Sequence, residues 1–394
     1  MQSYEEALSR LLAAARPLQG QDTLSLSDAL GRVLAAPLVS SLAVPPQDNS
    51  AMDGYAVRVA DVAAVGTRLP VSQRVPAGSQ PMALQTGTAA RIFTGAPIPA
   101  GADAVVMQER CRVEGDAVIV DHTPRAGENI RRAGEDIAAG AIVLPACKRL
   151  GAQDLGLAAS IGAATLTVFR RLRVATFFTG DELTTPGEPL RPGAIYNSNR
   201  YVLRGQLEAL GCAVRELGIV RDDLAATREA LRDAARDADL VLTCGGVSVG
   251  EEDHVKAAVE AEGVLEAWKL AIKPGKPLAW GRVGDAAFIG LPGNPVSSFV
   301  TFMTLVQPYI RACQGEPALA PRTLSMRADF AWPRADARRE FLRVRRNERG
   351  GLDLYPQQGS GVLSSCSWAD GLVSNPPGQT IAEGDVVQYL PFVS

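Results

Sequence analysis

The sequence of 394 residues predicts a multidomain fold of α/β plus β class, in which a central three-layer α/β domain is joined to β-rich domains. Three observations lead to this prediction. The chain is about two to four times as long as a typical domain. Strand-like and helix-like runs alternate over residues 172–313, the pattern of a parallel or mixed sheet with helices on both faces. Short valine- and isoleucine-rich runs separated by glycine and proline fill residues 41–140 and 322–394, as is typical of β structure.

The composition excludes several classes of protein. Acidic residues number 43 and basic residues 40, so the net charge of −3 argues against a protein that coats nucleic acid. No apolar run reaches the length of a membrane span, and charges within residues 1–18 argue against a signal peptide. Six scattered cysteines and two histidines make a zinc site improbable. We therefore expect a cytoplasmic protein with reduced thiols that binds neither nucleic acid nor membranes.

The N-terminal part of the sequence predicts a helix, a connector and a β-rich domain. Apolar residues recur at helical spacing in residues 1–18. Residues 23–40 are typical of a short structured connector, and a helix over 150–161 leads into a strand over 164–168. The predicted parts are an N-terminal helix (1–20), a connector (21–40 with 141–170), a β-rich domain (41–140), a central domain (171–318) and a C-terminal domain (319–394).

The central domain is predicted element by element. Gly211 closes one helix, and Asp222 or Asp223 caps the next. The predicted strands are 173–178, 213–220, 240–244 and 265–272, followed by a hairpin of 278–280 and 286–289. The predicted helices are 198–210, a segment running to about residue 235, 255–261 and a long helix over 295–313.

Three loops leave strands of this domain at their carboxyl ends, where open α/β sheets bind ligands. Thr-Gly-Asp-Glu at residues 179–182 places two acids directly after a strand, although a turn cap also explains Asp181. The glycine-rich loop of residues 245–253 lets backbone N–H groups approach a phosphate and ends in three acids. Such acids suit a Mg²⁺ ion bound beside the phosphate. An acid-rich helix start stabilised by the helix dipole explains them as well.

A third loop carries most of the lysine in the chain. Only 5 of the 40 basic residues are lysines, and Lys269, Lys273 and Lys276 lie within eight residues of each other. Lysine is a compact charge suited to phosphate or an oxyanion, although a solvated surface cluster is the alternative. A fourth loop, residues 291–298, opens the long helix with Pro295 and Ser297, and it fits either an anion site or a stiff helix start.

The β-rich domain contains three segments dense in small polar and charged residues, at 48–55, 92–97 and 131–136. Turn chemistry explains each of them singly. A Ser/His/Asp arrangement is excluded because histidine is nearly absent, and His254 fits a helix start better than a catalytic base.

Seven segments occur in the order found in one family. They are Asp-Asn-Ser-Ala-Met-Asp-Gly-Tyr-Ala (48–56), Thr-Gly-Ala-Pro (94–97), Arg-Arg-Ala-Gly-Glu-Asp (131–136), Thr-Gly-Asp-Glu-Leu (179–183), Gly-Gly-Val-Ser-Val-Gly (245–250), Lys-Pro-Gly-Lys-Pro (273–277) and Leu-Pro-Gly-Asn-Pro-Val-Ser (291–297). Through them the chain resembles, over essentially its whole length, the MoeA family of molybdopterin molybdenumtransferases, which includes the E domain of gephyrin.

The resemblance implies insertion of molybdenum from molybdate into adenylylated molybdopterin, with Mg²⁺, release of AMP and formation of molybdenum cofactor. It implies an elongated homodimer whose site lies between the MoaB/Mog-like central domain of one subunit and the β-rich domain of the other. It further implies a C-terminal small β-barrel and an N-terminal helix packed on the central domain. A molybdopterin adenylyltransferase would act upstream, and molybdenum enzymes or cofactor chaperones would act downstream.

The resemblance also assigns roles to matching positions. The implied catalytic acids are Asp53, Asp136, Glu182, Asp222 and Asp253. Of these, Glu182, Asp253 and Asp222 would hold Mg²⁺, while Asp53 and Asp136 would come from the partner subunit. The implied substrate-binding residues are Thr94, Thr179, Gly180, Gly245, Gly246, Ser248, Gly250, Lys269, Lys273, Lys276, Pro292, Gly293, Asn294, Pro295, Ser297, Arg343 and Ser364. At Asn197 the chain carries an amide where relatives often carry an acid.

Two other functions fit parts of the sequence. The central domain alone resembles the partner enzyme that adenylylates molybdopterin, but the β-rich domains and the two acids assigned to them favour the insertion step. A scaffold role, which the related domain of gephyrin also has, is less favoured because the sequence shows no long linker or second partner domain.

Overall fold

The computed structural model describes residues 1–246, 254–317 and 319–392. The helices are α1 (Tyr4–Ala14), α2 (Ala152–Ser160), α3 (Ser198–Ala209), α4 (Leu224–Asp237), α5 (His254–Glu262), α6 (Pro295–Thr301), α7 (Gln307–Cys313) and α8 (Ser364–Trp368). The strands are β1 (Gln21–Ser25), β2 (Leu38–Val39), β3 (Asn49–Ser50), β4 (Gly54–Val57), β5 (Thr67–Val75), β6 (Ala89–Ile92), β7 (Ala104–Met107), β8 (Cys111–Glu114), β9 (Ala117–Val120), β10 (Ile130–Arg131), β11 (Ile142–Leu144), β12 (Thr165–Phe169), β13 (Arg173–Thr179), β14 (Leu183–Thr184), β15 (Ile195–Tyr196), β16 (Ala213–Val220), β17 (Leu240–Cys244), β18 (Gly263–Lys269), β19 (Ile272–Lys273), β20 (Pro277–Val283), β21 (Ala286–Leu291), β22 (Leu324–Arg327), β23 (Arg339–Arg346), β24 (Leu352–Leu354), β25 (Gly371–Asn375) and β26 (Val386–Pro391). Among the residues described, no helix is both long enough and apolar enough to cross a membrane.

Helix α1 begins with a capping box. The Ser3 hydroxyl accepts a hydrogen bond from the backbone N–H of Glu6, and the Glu6 carboxylate accepts one from the backbone N–H of Ser3. The apolar face of the helix buries Leu8 and Leu11 in a core cluster shared with the central sheet. The Tyr4 ring meets Phe341 of the C-terminal domain edge to face, with 5.4 Å between ring centroids. The helix therefore contacts both the central and the C-terminal domain.

Two stretches of chain that are far apart in sequence form the connector. Strand β1 pairs antiparallel with β12, with Gln21 opposite Phe169, and β2 pairs antiparallel with β11. Helix α2 covers these strands, and their apolar side chains form a separate small core around Leu34 and Leu166. The β-rich segment is thus inserted between the two halves of the connector.

The β-rich segment forms a six-stranded sheet in the order β7-β4-β6-β5-β9-β8. A short pair, β3 with β10, lies beside it. Gly54 begins β4 where the neighbouring strand comes very close, since a Cβ atom there would lie 2.0 Å from the Val106 carbonyl oxygen. Only glycine permits that approach without a shift of the backbone.

The central domain is a mixed sheet between two layers of helices. The strand order is β16-β13-β17-β21-β20-β18, with the first four strands parallel and β20 antiparallel to both of its neighbours. Helices α3 and α6 bury their apolar residues on one face, together with α1. Helices α4 and α5 bury theirs on the other face. The predicted class, multidomain α/β plus β with a three-layer centre, is confirmed.

Two predicted elements of this domain differ from the structure. The predicted strand over 265–272 is two strands, because the chain leaves the central sheet after Lys269 and joins the C-terminal sheet as β19. The predicted helix over 295–313 is helical throughout, but a π-helical segment, Phe302–Val306, separates α6 from α7. Neither departure has a local sequence signal, since both arise from packing.

The C-terminal sheet runs in the order β19-β23-β25-β26-β22, and β24 pairs with the free part of β23. A bridge between Ala328 and Leu352 connects the end of β22 to β24, which closes the strands around a small core that includes Tyr389. Closure of this kind leaves few exposed edges. Because β19 belongs to the central stretch of sequence, the two domains share a hydrogen-bonded strand pair.

Candidate functional site

A cleft of about 720 Å³ lies at the carboxyl ends of β13, β17 and β21. In the register of the sheet, Phe178 pairs with Cys244 and Cys244 pairs with Leu291, so the three strands end side by side. The described residues that directly follow these strand ends line one space, which the C-terminal domain bounds on another side. The lining residues are Phe178, Thr179, Glu182, Leu183, Ile195, Tyr196, Asn197, Ser198, Asn199, Cys244, Gly245, Lys273, Pro274, Gly275, Lys276, Pro277, Pro292, Gly293, Asn294, Pro295, Ser297, Arg338, Gln358, Gly359 and Ser360.

Gly245 permits the loops after β13 and β17 to touch. Its φ is +100°, and a Cβ atom at this position would lie 2.6 Å from the Thr179 carbonyl oxygen. Its N–H donates to the carbonyl oxygen of Leu291 at 3.2 Å. A larger residue would therefore separate the strand ends that form the floor of the cleft.

Hydrogen bonds of Asn199 and Cys244 stabilise the part of the cleft wall that these two residues line. The Asn199 amide donates to the Gly293 carbonyl oxygen at 2.7 Å and to the Cys244 sulfur at 3.0 Å. The Cys244 thiol donates to the Pro292 carbonyl oxygen at 2.9 Å. Burial raises the pKa of this thiol to about 11, so it stays protonated near neutral pH and is unsuited to act as a nucleophile.

Several polar atoms at the cleft are buried without a hydrogen-bond partner among the described residues. They are Thr179 Oγ1, Asn197 Nδ2 and Asn199 Oδ1. Asn197 also caps α3, because its side-chain oxygen accepts from the backbone N–H of Arg200 at 3.2 Å. Leaving a buried donor or acceptor unsatisfied costs free energy, so such atoms indicate a site that a polar ligand completes.

The acids predicted for this edge of the sheet lie at different places. Glu182 is exposed and lines the cleft. Asp222 follows β16, and its backbone N–H donates to the Asp181 carboxylate at 3.4 Å, so it neighbours the first acidic loop but is outside the cleft lining. Asp181 thus joins two loops, which goes beyond the turn cap considered from the sequence. Asp253, together with Ser248 and Gly250, lies outside the described residues.

The structure separates the three clustered lysines. Lys273 and Lys276 line the cleft, whereas Lys269 is exposed at the end of β18 and is not part of the lining. The Lys273 ammonium forms ion pairs with Asp336 at 3.2 Å and Glu340 at 3.0 Å. Burial alone would lower the pKa of Lys273, but its hydrogen bonds to Glu340 and Asp336 raise the pKa above the usual value. Within the described parts of the chain, Lys276 has neither an ion pair nor a side-chain hydrogen bond.

The turn before the long helix closes another wall of the cleft. All five residues assigned to it from the sequence line the cleft: Pro292, Gly293, Asn294, Pro295 and Ser297. The Val296 N–H donates to the Ser360 carbonyl oxygen at 3.0 Å, which ties this turn to the C-terminal domain. Of the glycines predicted to bind substrate, Gly245 lines the cleft, while Gly180 and Gly246 are beside it.

In the β-rich domain, two of the sequence segments converge on Asp53. Its Oδ1 accepts hydrogen bonds from both the backbone N–H and the hydroxyl of Thr94, each at 2.8 Å. These bonds, led by the one from the backbone, hold the pKa of this carboxyl below its usual value. Buried Ser50 connects the two segments, because its N–H donates to the Ala96 carbonyl oxygen at 2.9 Å. Asp53 is therefore an exposed, oriented and ionised carboxylate.

Asp136 lies in the same domain but forms none of these hydrogen bonds. It is exposed, and its backbone N–H donates to the Val44 carbonyl oxygen at 3.0 Å. Asp53, Thr94 and Asp136 are all outside the lining of the central cleft of this chain. One chain does not bring these acids to Glu182 and the lysines.

Arg343 and Ser364 are not brought together at the cleft. Arg343 is 1% exposed, and its guanidinium donates to Phe341 O at 3.0 Å, Ser365 Oγ at 3.2 Å and Gly359 O at 3.3 Å. Burial lowers its pKa to about 10. Ser364 instead bonds to the Tyr355 hydroxyl at 3.1 Å. Arg343 thus supports the wall segment at Gly359 from behind and is not placed to meet a ligand in the cleft.

Sequence reasoning missed the residues that the C-terminal domain contributes to the cleft. These are Arg338, Gln358, Gly359 and Ser360, with Asp336 and Glu340 behind them. Their segments carry no motif, and only the pairing of β19 with β23 brings them to the lysine loop. Tyr196, which precedes Asn197, also lines the cleft, and this half-buried aromatic residue is 45% exposed.

Comparison with known families gives matches along nearly the whole chain. The MoeA N-terminal region (domain I and II) matches residues 2–162, a probable molybdopterin binding domain matches residues 175–312, and the MoeA C-terminal region (domain IV) matches residues 325–392.

Individual relatives agree with these matches. A molybdopterin molybdenumtransferase of Haemophilus influenzae is 40% identical over 403 residues, which covers 100% of this chain and 99% of the relative. Molybdopterin molybdenumtransferase 2 of Mycobacterium tuberculosis is 38% identical over 390 residues and 95% of each chain. The crystal structure of the molybdopterin biosynthesis MoeA protein from Pyrococcus horikoshii OT3 superposes with a TM-score of 0.87, at 29% identity over 99% of both chains.

Proposed function

The chain belongs to the MoeA family of molybdopterin molybdenumtransferases, enzymes of molybdenum cofactor biosynthesis, and from this premise we propose that it inserts molybdenum from molybdate into adenylylated molybdopterin, releasing AMP. The observation that carries the proposal is the cleft at the ends of β13, β17 and β21. There, unpartnered buried polar atoms, an exposed carboxylate and a lysine without a described partner face one space of about 720 Å³. A ligand that carries both anionic and polar groups matches this lining.

The chemistry asks the protein mainly for positioning and electrostatic stabilisation. Molybdate is a dianion, and the pterin substrate brings phosphates and its own thiolates, so no side-chain nucleophile is needed. Lys276 supplies a positive charge for the oxyanion, and Thr179 and Asn197 supply buried polar atoms that hold the larger substrate. Asn294 and Ser297 also line the cleft and orient the ligand further.

The residues present also fit a Mg²⁺ ion. The Glu182 carboxylate and the orphaned Thr179 hydroxyl are oxygen donors of the type that Mg²⁺ prefers, and both line the cleft. In the proposal, Glu182, Asp222 and Asp253 hold the ion. When bound, Mg²⁺ would offset the charge of the adenylate phosphates and polarise the bond to AMP. Within the described residues, no group of three candidate metal ligands is already assembled.

The proposed active form is a homodimer acting in the cytoplasm. Asp53 is oriented by Thr94 but lies outside the lining of the central cleft of its own chain, as expected of a side chain that completes the site of a partner. Asp136 would enter the partner's site from the same domain. A molybdopterin adenylyltransferase would supply the substrate, and molybdenum enzymes or cofactor chaperones would take the product.

The proposal is tested by turnover of purified protein with adenylylated molybdopterin, molybdate and Mg²⁺. We expect AMP and molybdenum cofactor to form in equal amounts, and both to depend on added Mg²⁺. Production of adenylylated molybdopterin from ATP, without its consumption in the presence of molybdate, would instead identify an adenylyltransferase. Stable capture of a receptor loop with no turnover would favour a scaffold.

A further inference from the structure

Lys273 is held by carboxylates that belong to the C-terminal domain. Its ammonium lies 3.0 Å from Glu340 Oε1 and 3.2 Å from Asp336 Oδ2. The Glu340 side chain is 2% exposed, and its second oxygen accepts a hydrogen bond from the Trp332 indole N–H at 2.7 Å. Glu340 is thus fully engaged, and withdrawing it from Lys273 would leave a buried carboxylate without its cation.

Asp336 is also held in place by hydrogen bonds. It accepts two hydrogen bonds from the Arg338 guanidinium and one from its backbone N–H, all at 3.0 Å. Two cations and two anions therefore form one ion-pair network without net charge: Lys273, Arg338, Asp336 and Glu340. An oxyanion that approaches Lys273 must compete with two carboxylates that are already in place.

The backbone around the lysine loop is fixed as well. Strand β19 pairs with β23, placing Ile272 opposite Arg339 and Lys273 opposite Glu340. Gly275, at φ +112°, lies so close to α6 that a Cβ atom would be 2.6 Å from Thr301 Oγ1. The Lys276 carbonyl oxygen accepts from the Leu270 N–H at 2.7 Å. Anchoring Lys273 consequently determines where Lys276, three residues further on, stands in the cleft.

We propose that Glu340 and Asp336 are positioning residues that anchor Lys273 to the C-terminal domain and thereby place Lys276 to meet the oxyanion. This inference rests on the proposed function. It divides the labour of the two cleft lysines: Lys273 connects the domains, and Lys276 binds the anion. The C-terminal domain then contributes to activity through the Glu340 and Asp336 carboxylates, which lie outside the cleft lining and act by holding Lys273.

Glu340→Gln tests the inference. Glutamine keeps the size of the side chain and its hydrogen bond to Trp332 but removes the charge that holds Lys273. We expect KM for molybdate to rise about ten-fold with kcat nearly unchanged, since a small misplacement of a binding group weakens binding of its ligand. Asp336→Asn should act in the same direction. Asp329→Asn is the matched control, because Asp329 is a shielded carboxylate of the same domain, paired with Arg327 at 2.7 Å and outside the cleft.

A double-mutant comparison shows whether Glu340 acts through Lys273. Lys273→Met and Glu340→Gln should each raise KM for molybdate, and the double variant should be no worse than the poorer single variant. If Lys273 instead binds the oxyanion directly, releasing it from Glu340 would lower KM for molybdate. That outcome, or fully additive losses in the double variant, would overturn the inference.

Amine labelling supplies a readout that does not require activity. With only five lysines in the chain, acylation of each can be followed by mass spectrometry. Lys273 should react slowly and Lys276 quickly in the wild-type protein, and Glu340→Gln should accelerate labelling of Lys273 several-fold. Unchanged labelling of Lys273 would contradict the anchoring. If wild-type protein fails to use molybdate while the labelling behaves as expected, the proposed function is wrong, but the anchoring of Lys273 by Glu340 is confirmed.

Discussion

At the scale of single residues, the structure assigns different work to side chains that look alike in the sequence. Asp53 is exposed, and Thr94 donates two hydrogen bonds to one of its carboxylate oxygens, so the carboxylate is oriented and open to its surroundings. Asp239 accepts hydrogen bonds from Arg170 and Arg173 and connects the connector to the starts of β13 and β17. The first is a candidate functional carboxylate, and the second stabilises the fold.

Asp239→Asn should destabilise the protein at neutral pH by about 2 kcal/mol, the order expected for hydrogen bonds to a charged group. Burial raises the pKa of Asp239, but the hydrogen bonds from Arg170 and Arg173 outweigh burial and hold the pKa well below its usual value. A carboxyl whose pKa is lowered by folding stabilises the protein above its unfolded pKa, about 3.9, and this contribution is lost as the pH falls through the folded pKa.

Urea unfolding at pH 7 and at pH 3 measures this effect. The difference between Asp239→Asn and wild type should shrink at the lower pH. Asp116→Asn is the control, because the Asp116 side chain is 95% exposed and its ion pair with Arg68 is long, at 3.9 Å. This substitution should change stability little at either pH. A difference that is independent of pH would show that Asp239 stabilises the fold by packing and not by its charge.

Lys276→Ala should raise the molybdate concentration needed for half-maximal turnover about ten-fold. The substitution removes a positive charge that lines the cleft and that no described carboxylate neutralises, so this charge is available to the oxyanion. Lys269→Ala is the natural control, since Lys269 is exposed and outside the cleft. The measurement is the dependence of rate on molybdate, compared with the dependence on adenylylated molybdopterin. Equal losses toward both substrates would move the role of Lys276 to the pterin phosphate.

At the scale of elements, close approaches of the backbone decide where strands and loops can meet. Gly54 lets β4 lie against β7, and Gly245 lets the loop after β17 touch the end of β13. Both glycines occur in segments singled out from the sequence. Both positions require glycine because other segments of the same chain pack against them. This requirement therefore became visible only in the folded structure.

Gly54→Ala should destabilise the protein by about 3 kcal/mol, because its Cβ atom would lie 2.0 Å from the Val106 carbonyl oxygen. Relieving this clash would require the backbone of β4 or β7 to shift within the sheet. Gly205→Ala should have the opposite sign. Gly205 is an exposed position within α3 with nothing within 4 Å of an added Cβ, so alanine there should stabilise by about 1 kcal/mol through helix propensity. The midpoint of urea unfolding reports both changes, and a shared sign would contradict the steric explanation.

At the scale of the whole molecule, the cleft of one chain contains Glu182 and the lysines but lacks Asp53 and Asp136. A functional site that includes all of them requires a second copy of the chain. In such a dimer, a central domain from one subunit and a β-rich domain from the other would form each of two sites.

Mixing Asp53→Ala with Glu182→Ala tests this arrangement. Each variant alone should be inactive. When equal amounts exchange subunits freely, half of the dimers are mixed and each mixed dimer has one intact site of two, so activity should recover to about a quarter of wild type. Mixing Glu182→Ala with Asp222→Ala should give no recovery, because both changes lie in the same domain. Absence of recovery in the first mixture, with subunit exchange verified, would place all the acids in one subunit's site.

The sequence by itself determined most of the secondary structure and identified several of the loops that line the candidate cleft. Apolar periodicity gave the alternating strands and helices of the central domain, and strand β17 has the predicted bounds. The loops after β13 and β17 and the turn before α6 could be identified because carboxyl ends of parallel strands meet at one edge. These are local or pairwise properties of the chain, and local patterns can specify them.

Only the tertiary structure decided which members of those loops line the same cleft. It removed Lys269 from the cleft, engaged Lys273 with Glu340 and Asp336, and left Lys276 facing the open space. It buried Arg343 behind the cleft wall and introduced Arg338, which no motif had indicated. The physical reason is that ion pairing and burial depend on neighbours in β23, about 70 residues further along the chain. The local sequence around a lysine or an arginine does not indicate which distant strand will pair beside it.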